Sequence, residues 1–281
     1  MRPTLRHMPR ARIELSDAKT ILTRTSGYLS GFTHSLQPYI GCQFSCIYCY
    51  VREMAVQRTN KFGLPWSRWI IAKHNAPELL ARSRLDGARI FMSSATDPYT
   101  PLERELCITR GCLEVFAARP PAALVVQTRS PLVLRDIELL ARIRRVAISL
   151  TVTTSDERVR RLLEPDSPKF ARRIATLRAL KAAGLRVQAA VSPLLPGDLD
   201  ELARALDPVV DRIVLDDFFR GDGASGRRSR TALRALEAAG YGAWAQPGYA
   251  QHAAETFRAV LGSERVVESR AGFADLDWLS C

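Results

Sequence analysis

Three of the six cysteines, Cys42, Cys46 and Cys49, lie close together on one short segment. Their spacing, with three and then two intervening residues, allows the thiols of one loop to converge on a single metal centre. A structural zinc site needs a fourth protein ligand, for which His34 is the nearest histidine. An iron–sulfur cluster held by three thiolates instead leaves one iron open for an exogenous ligand. The motif therefore favours an iron–sulfur centre over zinc or three unligated thiols.

Further polar groups follow the sixth predicted strand. Asp216 and Asp217 end that strand and are candidates for substrate binding. Residues 221–226 (GDGASG) have the glycine spacing of a dinucleotide-binding loop, but the next apolar stretch offers no acidic residue for a ribose. We interpret this segment as a flexible loop whose Arg227, Arg228 and Arg230 steer a phosphate group.

Short apolar runs alternate with helical patterns, which is typical of βα units and a parallel sheet. Strands are predicted at residues 36–40, 89–92, 123–127, 146–150, 185–191 and 212–215. Helices are predicted at residues 77–85, 103–118, 131–144, 168–184, 199–206 and 231–239. We interpret Glu164 and Pro165 as the end of a further helix. About six βα units predict an α/β fold, a partial open (β/α)6 TIM-type barrel with its chemistry at the carboxyl ends of the strands.

The same pattern predicts how the chain is organised. Residues 1–34 form an N-terminal extension, residues 35–240 the partial barrel, and residues 241–281 a short C-terminal closing element. An amphipathic segment at residues 251–261 belongs to the closing element. We find no linker that would separate a second domain.

Composition restricts the class of protein further. The 281 residues are 47% hydrophobic with 16 glycines, which excludes a disordered or collagen-like chain. Lys and Arg outnumber Asp and Glu by 41 to 29, and the formal net charge of +12 favours a polyanionic partner such as nucleic acid. No apolar run reaches the roughly 18 residues that a membrane span needs, and no export signal begins the sequence. We therefore expect a cytoplasmic protein without a membrane partner.

The three cysteines, with Tyr48 directly before the third, resemble the signature of the radical S-adenosylmethionine (radical SAM) enzymes. The resemblance implies a partial (β/α)6 barrel, a 4Fe-4S cluster held by Cys42, Cys46 and Cys49, and SAM chelated to the fourth iron. It also implies that SAM is reductively cleaved to a 5′-deoxyadenosyl radical, which abstracts a hydrogen atom from the substrate. The electron would come from a reducing partner such as flavodoxin or ferredoxin.

Longer motifs resemble the spore photoproduct lyase-like, or DNA repair photolyase-like, branch of that family. They are SLQPYIGC at residues 35–42, CIYCYVR at 46–52, SSATDPYTPLE at 93–103, and shorter stretches at 128–130, 148–150, 163–165 and 192–197. The likeness runs in order from residue 18 to residue 200. It implies lyase-like or other radical chemistry, with nucleic acid as the leading substrate.

The branch pattern also implies which residues contact SAM. They lie around the third cysteine and at the ends of the second to fifth strands: Tyr48, Tyr50, Ser94, Thr96, Arg129, Ser149 and Ser192. Hydroxyl donors and a cation suit a zwitterionic ligand that carries a ribose and a carboxylate.

One position departs from the branch pattern. Ser94 aligns with the cysteine that donates a hydrogen atom in spore photoproduct lyase, and a hydroxyl O–H bond is too strong to replace a thiol in that step. Cys107 and Cys112 are interpreted as buried apolar residues, and Cys281 is a candidate for a substitute thiol. Two alternatives stay open, radical modification of a peptide or small metabolite, and a non-catalytic zinc-stabilised nucleic-acid-binding protein.

Overall fold

The computed structural model describes residues 11–221, 224–246 and 248–279. The strands are β1 (Arg12–Ser16), β2 (Leu22–Arg24), β3 (His34–Leu36), β4 (Tyr39–Ile40), β5 (Trp69–Lys73), β6 (Arg89–Met92), β7 (Ala123–Thr128), β8 (Val146–Thr151), β9 (Arg186–Val191), β10 (Arg212–Leu215) and β11 (Val266–Glu268). The helices are α1 (Ala76–Ala81), α2 (Glu103–Leu106), α3 (Ile108–Ala118), α4 (Ile137–Leu140), α5 (Glu157–Leu163), α6 (Phe170–Ala182), α7 (Leu199–Leu206), α8 (Phe218–Gly221), α9 (Arg230–Ala238), α10 (Tyr249–Leu261) and α11 (Ser269–Ala274).

Eight strands form the main sheet in the order β11-β10-β9-β8-β7-β6-β3-β2. All neighbours are parallel except β2 and β3, which are antiparallel. The six predicted strands correspond to β3 and to β6 through β10, so the open α/β partial barrel is confirmed. Because β3 and β6 to β10 are parallel, their carboxyl ends lie at one edge of the sheet.

The central strands β6 to β10 are buried on both faces, which explains why they are mostly apolar. On the outer face, Leu124 and Ile148 belong to the main core beneath the helices. On the inner face, Phe91 and Val125 pack in a separate cluster with Leu276 and other C-terminal residues. The C-terminal segment therefore fills the lower part of the barrel interior.

The first predicted strand is divided in two. β3 belongs to the main sheet, whereas β4 joins a second sheet of order β1-β5-β4. Pro38 lies between β3 and β4 and has no N–H group for a ladder hydrogen bond, so the strand cannot continue through it. The prediction of one strand over residues 36–40 is therefore wrong. In addition, β1 and β5 were not among the predicted strands.

The helix predicted at residues 103–118 is interrupted at Cys107, whose φ of 53° and ψ of 27° are left-handed. The buried carboxylate of Glu103 accepts hydrogen bonds from the backbone N–H groups of Thr109 (2.9 Å) and Arg110 (3.1 Å), which caps α3. Cys107 is exposed, contrary to expectation, and Cys112 is buried as expected. The helix predicted at residues 131–144 is a 3-10 helix over Pro131–Asp136 followed by α4.

The predicted N-terminal extension and closing element both contribute strands to these sheets, through β1, β2 and β11. A buried network also holds the C-terminal segment. Arg212 donates to Gln188 (2.7 Å) and to the carbonyl of Gly272 (3.0 Å), and it lies 4.2 Å from the ring centre of Trp278. No helix within the described residues is long and apolar enough to cross a membrane.

Candidate functional site

A cavity of about 480 Å³ lies at the carboxyl edge of the main sheet. Five neighbouring strands each place a polar residue on its wall, at or just past the strand end: Ser93, Thr128, Thr151, Ser192 and Asp216. The volume is within the range of roughly 300–1,000 Å³ that is usual for small-molecule sites.

The cysteine loop forms one wall of this cavity. Cys42, Cys46 and Cys49 all line it, and all three are free thiols. The loop begins at Gly41, whose φ is +87° and where a Cβ atom would lie 2.4 Å from the Trp69 carbonyl oxygen. Only glycine allows the chain to turn this close to β5. The structure thus brings the three predicted metal ligands to one wall.

The three thiols share one wall of the cavity, but in this structure they are not drawn together into a metal site. Burial raises the pKa of each thiol, that of Cys49 to about 12, so each must lose its proton on binding a metal. Among the described residues, no three His, Cys, Asp or Glu side chains are placed to hold a metal ion as a group. His34, the nearest histidine, bonds instead to Thr33 Oγ1 (2.9 Å) and does not line the cavity. Among the described residues, the cavity wall thus carries three thiols and no histidine, which suits a cluster with one open iron better than a Cys/His zinc site.

Arg129 links the cysteine wall to the end of β7. Its backbone N–H donates to Asp97 Oδ2 (2.8 Å), and its Nη1 donates to Glu164 Oε1 (3.0 Å) and to the Tyr48 hydroxyl (3.1 Å). Burial by itself would raise the pKa of Glu164, but the guanidinium groups of Arg173 and Arg129 outweigh it and hold the pKa at about 2. A charged carboxylate therefore orients the cation that the sequence assigned to SAM.

The loop after β6 supplies the next set of polar groups. Gln37 Nε2 donates to Ser94 Oγ (2.9 Å), and the Tyr50 hydroxyl donates to the Ser94 carbonyl oxygen (2.9 Å). Thr96 Oγ1 donates to the Tyr39 carbonyl oxygen (3.1 Å). These bonds fix the loop between β6 and α2 against the cysteine loop.

Three polar atoms on the cavity wall are buried without a hydrogen-bond partner: Ser93 Oγ, Gln127 Oε1 and Ser229 Oγ. Ser93 is 3% exposed and has a φ of +74°, which an L-residue other than asparagine or aspartate adopts at a cost. Buried polar groups are normally paired, so unpaired groups around one cavity fit a polar ligand such as SAM.

Nine of the ten residues predicted for the site line the cavity. The exception is Ser149, which is fully buried and accepts a hydrogen bond from Gln188 Nε2 (2.8 Å). Its strand reaches the cavity two residues later, at Thr151. Through Gln188, Ser149 belongs to the network that holds the C-terminal segment.

One end of the cavity is formed by residues distant in sequence. The Tyr28 hydroxyl donates to Asp216 and is 2.6 Å from Ser269 Oγ, and the Tyr28 ring lies 6.0 Å from that of Phe273. Burial raises the pKa of Asp216, and the Tyr28 hydrogen bond opposes the change. Sequence reasoning identified only Asp216, because no motif marks a tyrosine and a phenylalanine more than 200 residues apart.

The segment with dinucleotide-type glycine spacing has a structural role at this end. A Cβ atom on Gly221 would lie 2.7 Å from Asp216 Oδ2, so a larger residue there would require the carboxylate or α8 to shift. Asp217 accepts the backbone N–H groups of Phe219 (2.8 Å) and Arg220 (2.7 Å). The middle of the motif, residues 222 and 223, lies outside the described residues. Of the three predicted phosphate ligands, Arg228 lines the cavity, whereas Arg227 and Arg230 are exposed.

An open α/β partial barrel with three free cysteines and polar strand ends around one cavity defines a class of cofactor-dependent barrel enzymes. The chain belongs to the radical SAM superfamily, whose family model matches residues 36–207. Membership implies SAM and an iron–sulfur cluster as cofactors.

Comparison with known proteins supports this placement. An uncharacterized protein of Methanocaldococcus jannaschii is 32% identical over 190 residues, which cover 68% of this chain and 71% of the relative. An uncharacterized protein of Acidianus two-tailed virus is 30% identical over 166 residues, covering 56% of this chain and 54% of the relative. The alignment thus spans only about half of the viral protein.

Among solved structures, one spore photoproduct lyase mutant matches with a TM-score of 0.61 at 14% identity, over 91% of this chain and 81% of that chain. Another, with bound AdoMet and dinucleoside spore photoproduct, matches with a TM-score of 0.58 at 16% identity, over 83% and 72%. At these identities the likeness is one of fold, and at that level the predicted resemblance to the lyase-like branch is confirmed.

Proposed function

We propose that the chain binds a 4Fe-4S cluster through Cys42, Cys46 and Cys49 and uses it with SAM for radical chemistry. When bound, these cofactors supply a 5′-deoxyadenosyl radical, by reductive cleavage of SAM, that abstracts a hydrogen atom from the substrate. The observation that carries the proposal is that three free thiols share one cavity with unpaired polar groups at the strand ends.

Different residues of the cavity wall are suited to different groups of SAM. Arg129 is held in place by Glu164 and Tyr48, and its guanidinium is suited to the carboxylate of SAM. The wall residues expected to meet the hydroxyl, amino and adenine groups of SAM are Tyr50, Ser93, Ser94, Thr96, Gln127 and Ser192. Ser149 lies below them and supports the wall through Gln188.

We propose nucleic acid as the substrate class, because the net charge is +12 and Arg228 lines the cavity with Arg227 beside it. The chemistry differs from that of spore photoproduct lyase in one respect. Among the described residues, the cavity is lined by no thiol besides the three of the cysteine loop. Cys281, the other candidate, lies outside the described residues. The position of the hydrogen-donating cysteine is occupied here by Ser94. The hydrogen atom is therefore not returned from that position by a thiol.

The cluster is tested by anaerobic reconstitution of wild type, Cys46→Ala and Cys112→Ala, followed by addition of dithionite and SAM. Cys112 is buried away from the cavity, so its variant is the matched control. We expect iron and sulfide in 4Fe-4S proportion, and 5′-deoxyadenosine from wild type and Cys112→Ala but not from Cys46→Ala. A single bound zinc, or no cluster in the wild type, contradicts the proposal.

The substrate class is tested by the salt dependence of oligonucleotide binding. Neutralising two phosphate contacts in an Arg227→Gln, Arg228→Gln variant is expected to reduce the slope of log affinity against log salt by about 1–2. An Arg142→Gln, Arg144→Gln variant changes two exposed arginines between α4 and β8 and serves as the control. Equal slopes in all three proteins would favour a peptide or small-metabolite substrate.

A further inference from the structure

We propose that the outer face of α5 and α9 is the docking surface for an acidic electron-transfer protein that reduces the cluster. This α5–α9 face is defined by Arg158, Arg161 and Arg234. The inference rests on the proposed function, because it assigns the route by which the electron reaches the cysteine loop.

The inner sides of these two helices cover the cysteine loop directly. Val159 and Leu163 of α5 belong to the same buried cluster as Cys46, and so do Ala232 and Leu236 of α9. In addition, the backbone N–H group of Ile47, between the second and third cysteines, donates to the Leu163 carbonyl oxygen (2.9 Å). A single helical layer therefore separates the cysteine loop from the α5–α9 face. Electron transfer slows steeply with distance, so a donor protein must dock over a thin layer of this kind.

The outer sides of the helices carry positive charge. Arg158 and Arg161 are three residues apart on α5 and therefore share a side of the helix, and both are exposed, as is Arg234 on α9. Within the described part of the chain none of the three forms an ion pair, whereas the neighbouring Arg160 is buried and pairs with Glu157 (2.7 Å).

Two acidic groups near α5 are engaged by other partners. Glu157 Oε2 accepts from Arg160, its Oε1 accepts the backbone N–H group of Phe170 (2.8 Å), and Asp166 accepts from Ser45 Oγ (2.6 Å). Glu237, three residues after Arg234 on α9, is an exposed acid beside that arginine, so the face holds three exposed arginines and one exposed carboxylate. The α5–α9 face thus presents a cationic surface that an acidic partner complements, which favours fast association and correct orientation.

The position of the face favours an electron donor over the nucleic-acid substrate. None of its three arginines lines the cavity, whereas Arg228 does. A substrate must enter the cavity, but a donor only needs to approach the cysteine loop. In the transfer itself, the reduced flavin or iron–sulfur group of the partner loses one electron, and the oxidised cluster gains it. No atom moves between the two proteins.

The test uses flavodoxin as the probe and an Arg158→Glu, Arg161→Glu, Arg234→Glu variant. An Arg84→Glu, Arg142→Glu, Arg144→Glu variant changes the net charge equally at three exposed arginines outside α5 and α9. Binding of oxidised flavodoxin is measured by calorimetry at two salt concentrations, with the cluster-free and the reconstituted proteins. We expect the α5–α9 variant to bind at least about tenfold more weakly and the control to bind like wild type.

SAM cleavage gives the second readout. With flavodoxin and its reductase as the electron source, 5′-deoxyadenosine formation by the α5–α9 variant is expected to fall about tenfold. With dithionite, which needs no docking surface, the rate is expected to match that of wild type. A triple Arg→Gln variant at the same positions is measured alongside, so that a misfolded charge-reversed protein does not decide the result.

Three results would overturn the inference. If flavodoxin binds the α5–α9 variants as tightly as it binds wild type, the α5–α9 face is not its docking surface. If flavodoxin binding is weakened equally in the control variant, the effect comes from net charge and not from the α5–α9 face. Lost oligonucleotide binding with unchanged flavodoxin binding assigns the face to nucleic acid. Failure of the proposed function is distinguishable, because wild type would then form no cluster or no 5′-deoxyadenosine with dithionite, while flavodoxin binding to the cluster-free protein would still be measured.

Discussion

Arg129 and Glu164 form an ion pair beneath the cysteine loop, with 3.0 Å between Nη1 and Oε1. Glu164 is fully buried and also accepts hydrogen bonds from Tyr48, Arg173 and Thr153. One carboxylate therefore ties together the cysteine loop, the end of β7, the segment after β8 and α6. Two guanidinium groups compensate its charge, which is the condition under which a buried carboxylate stays ionised.

Replacing this carboxylate in Glu164→Gln is expected to lower the free energy of unfolding at pH 7 by about 3–5 kcal/mol, because Arg129 and Arg173 lose their counterion. The folded-state pKa of about 2 is below the usual 4.5, so the stabilisation is complete above pH 4.5 and is lost as the pH falls towards 2. The difference between wild type and variant should shrink over that range, as measured by urea unfolding. A pH-independent difference would show that Glu164 is not ionised. Glu138→Gln, at an exposed residue, is the control and should change stability less.

Ser93 gives a prediction in which stability and affinity change in opposite directions. Ser93→Gly removes a left-handed non-glycine residue and is expected to raise the free energy of unfolding by about 1 kcal/mol. It also removes an unpaired hydroxyl from the cavity wall, so SAM affinity should fall about three- to tenfold. Ser93→Ala should lose affinity without the gain in stability. Equilibrium dialysis and thermal unfolding check both, and unchanged affinity in both variants would place SAM away from Ser93.

Ser149 separates a supporting role from direct contact with SAM. Ser149→Ala leaves Gln188 Nε2 without its acceptor and is expected to cost about 1–3 kcal/mol of stability. SAM affinity should change less than about twofold, because Ser149 does not line the cavity. A large loss of affinity with unchanged stability would restore the contact that the family resemblance implied.

The close approach of α8 to Asp216 is tested by Gly221→Ala. The added methyl group would lie 2.7 Å from Asp216 Oδ2, and relieving this overlap should cost about 1–3 kcal/mol in chemical denaturation. Gly242→Ala is the matched control, since a Cβ atom there meets nothing within 4 Å. Equal stabilities for the two variants would mean that α8 moves away from Asp216 without cost.

Local patterns were sufficient for the parts of the fold that local physics governs. The central parallel strands are mostly apolar because both faces are buried, so they could be identified without a structure. The three cysteines could be identified as well, because they lie within eight residues of one another. Local periodicity failed where a side chain within the same segment capped a helix. The helix over residues 103–118 is divided because the Glu103 carboxylate caps α3, and nothing in its own periodicity indicates this.

By itself, the sequence determined the open α/β barrel, the cysteine loop and the polar strand ends that line the cavity, since each depends on spacing within a few residues. Only the tertiary structure decided which of these groups meet. It placed Ser149 in a supporting network, made Glu164 the common partner of Tyr48 and Arg129, and closed the cavity with Tyr28 and Phe273. Such pairings depend on how the sheet curls and on where both ends of the chain pack against it, and periodicity along a single strand carries no information about either.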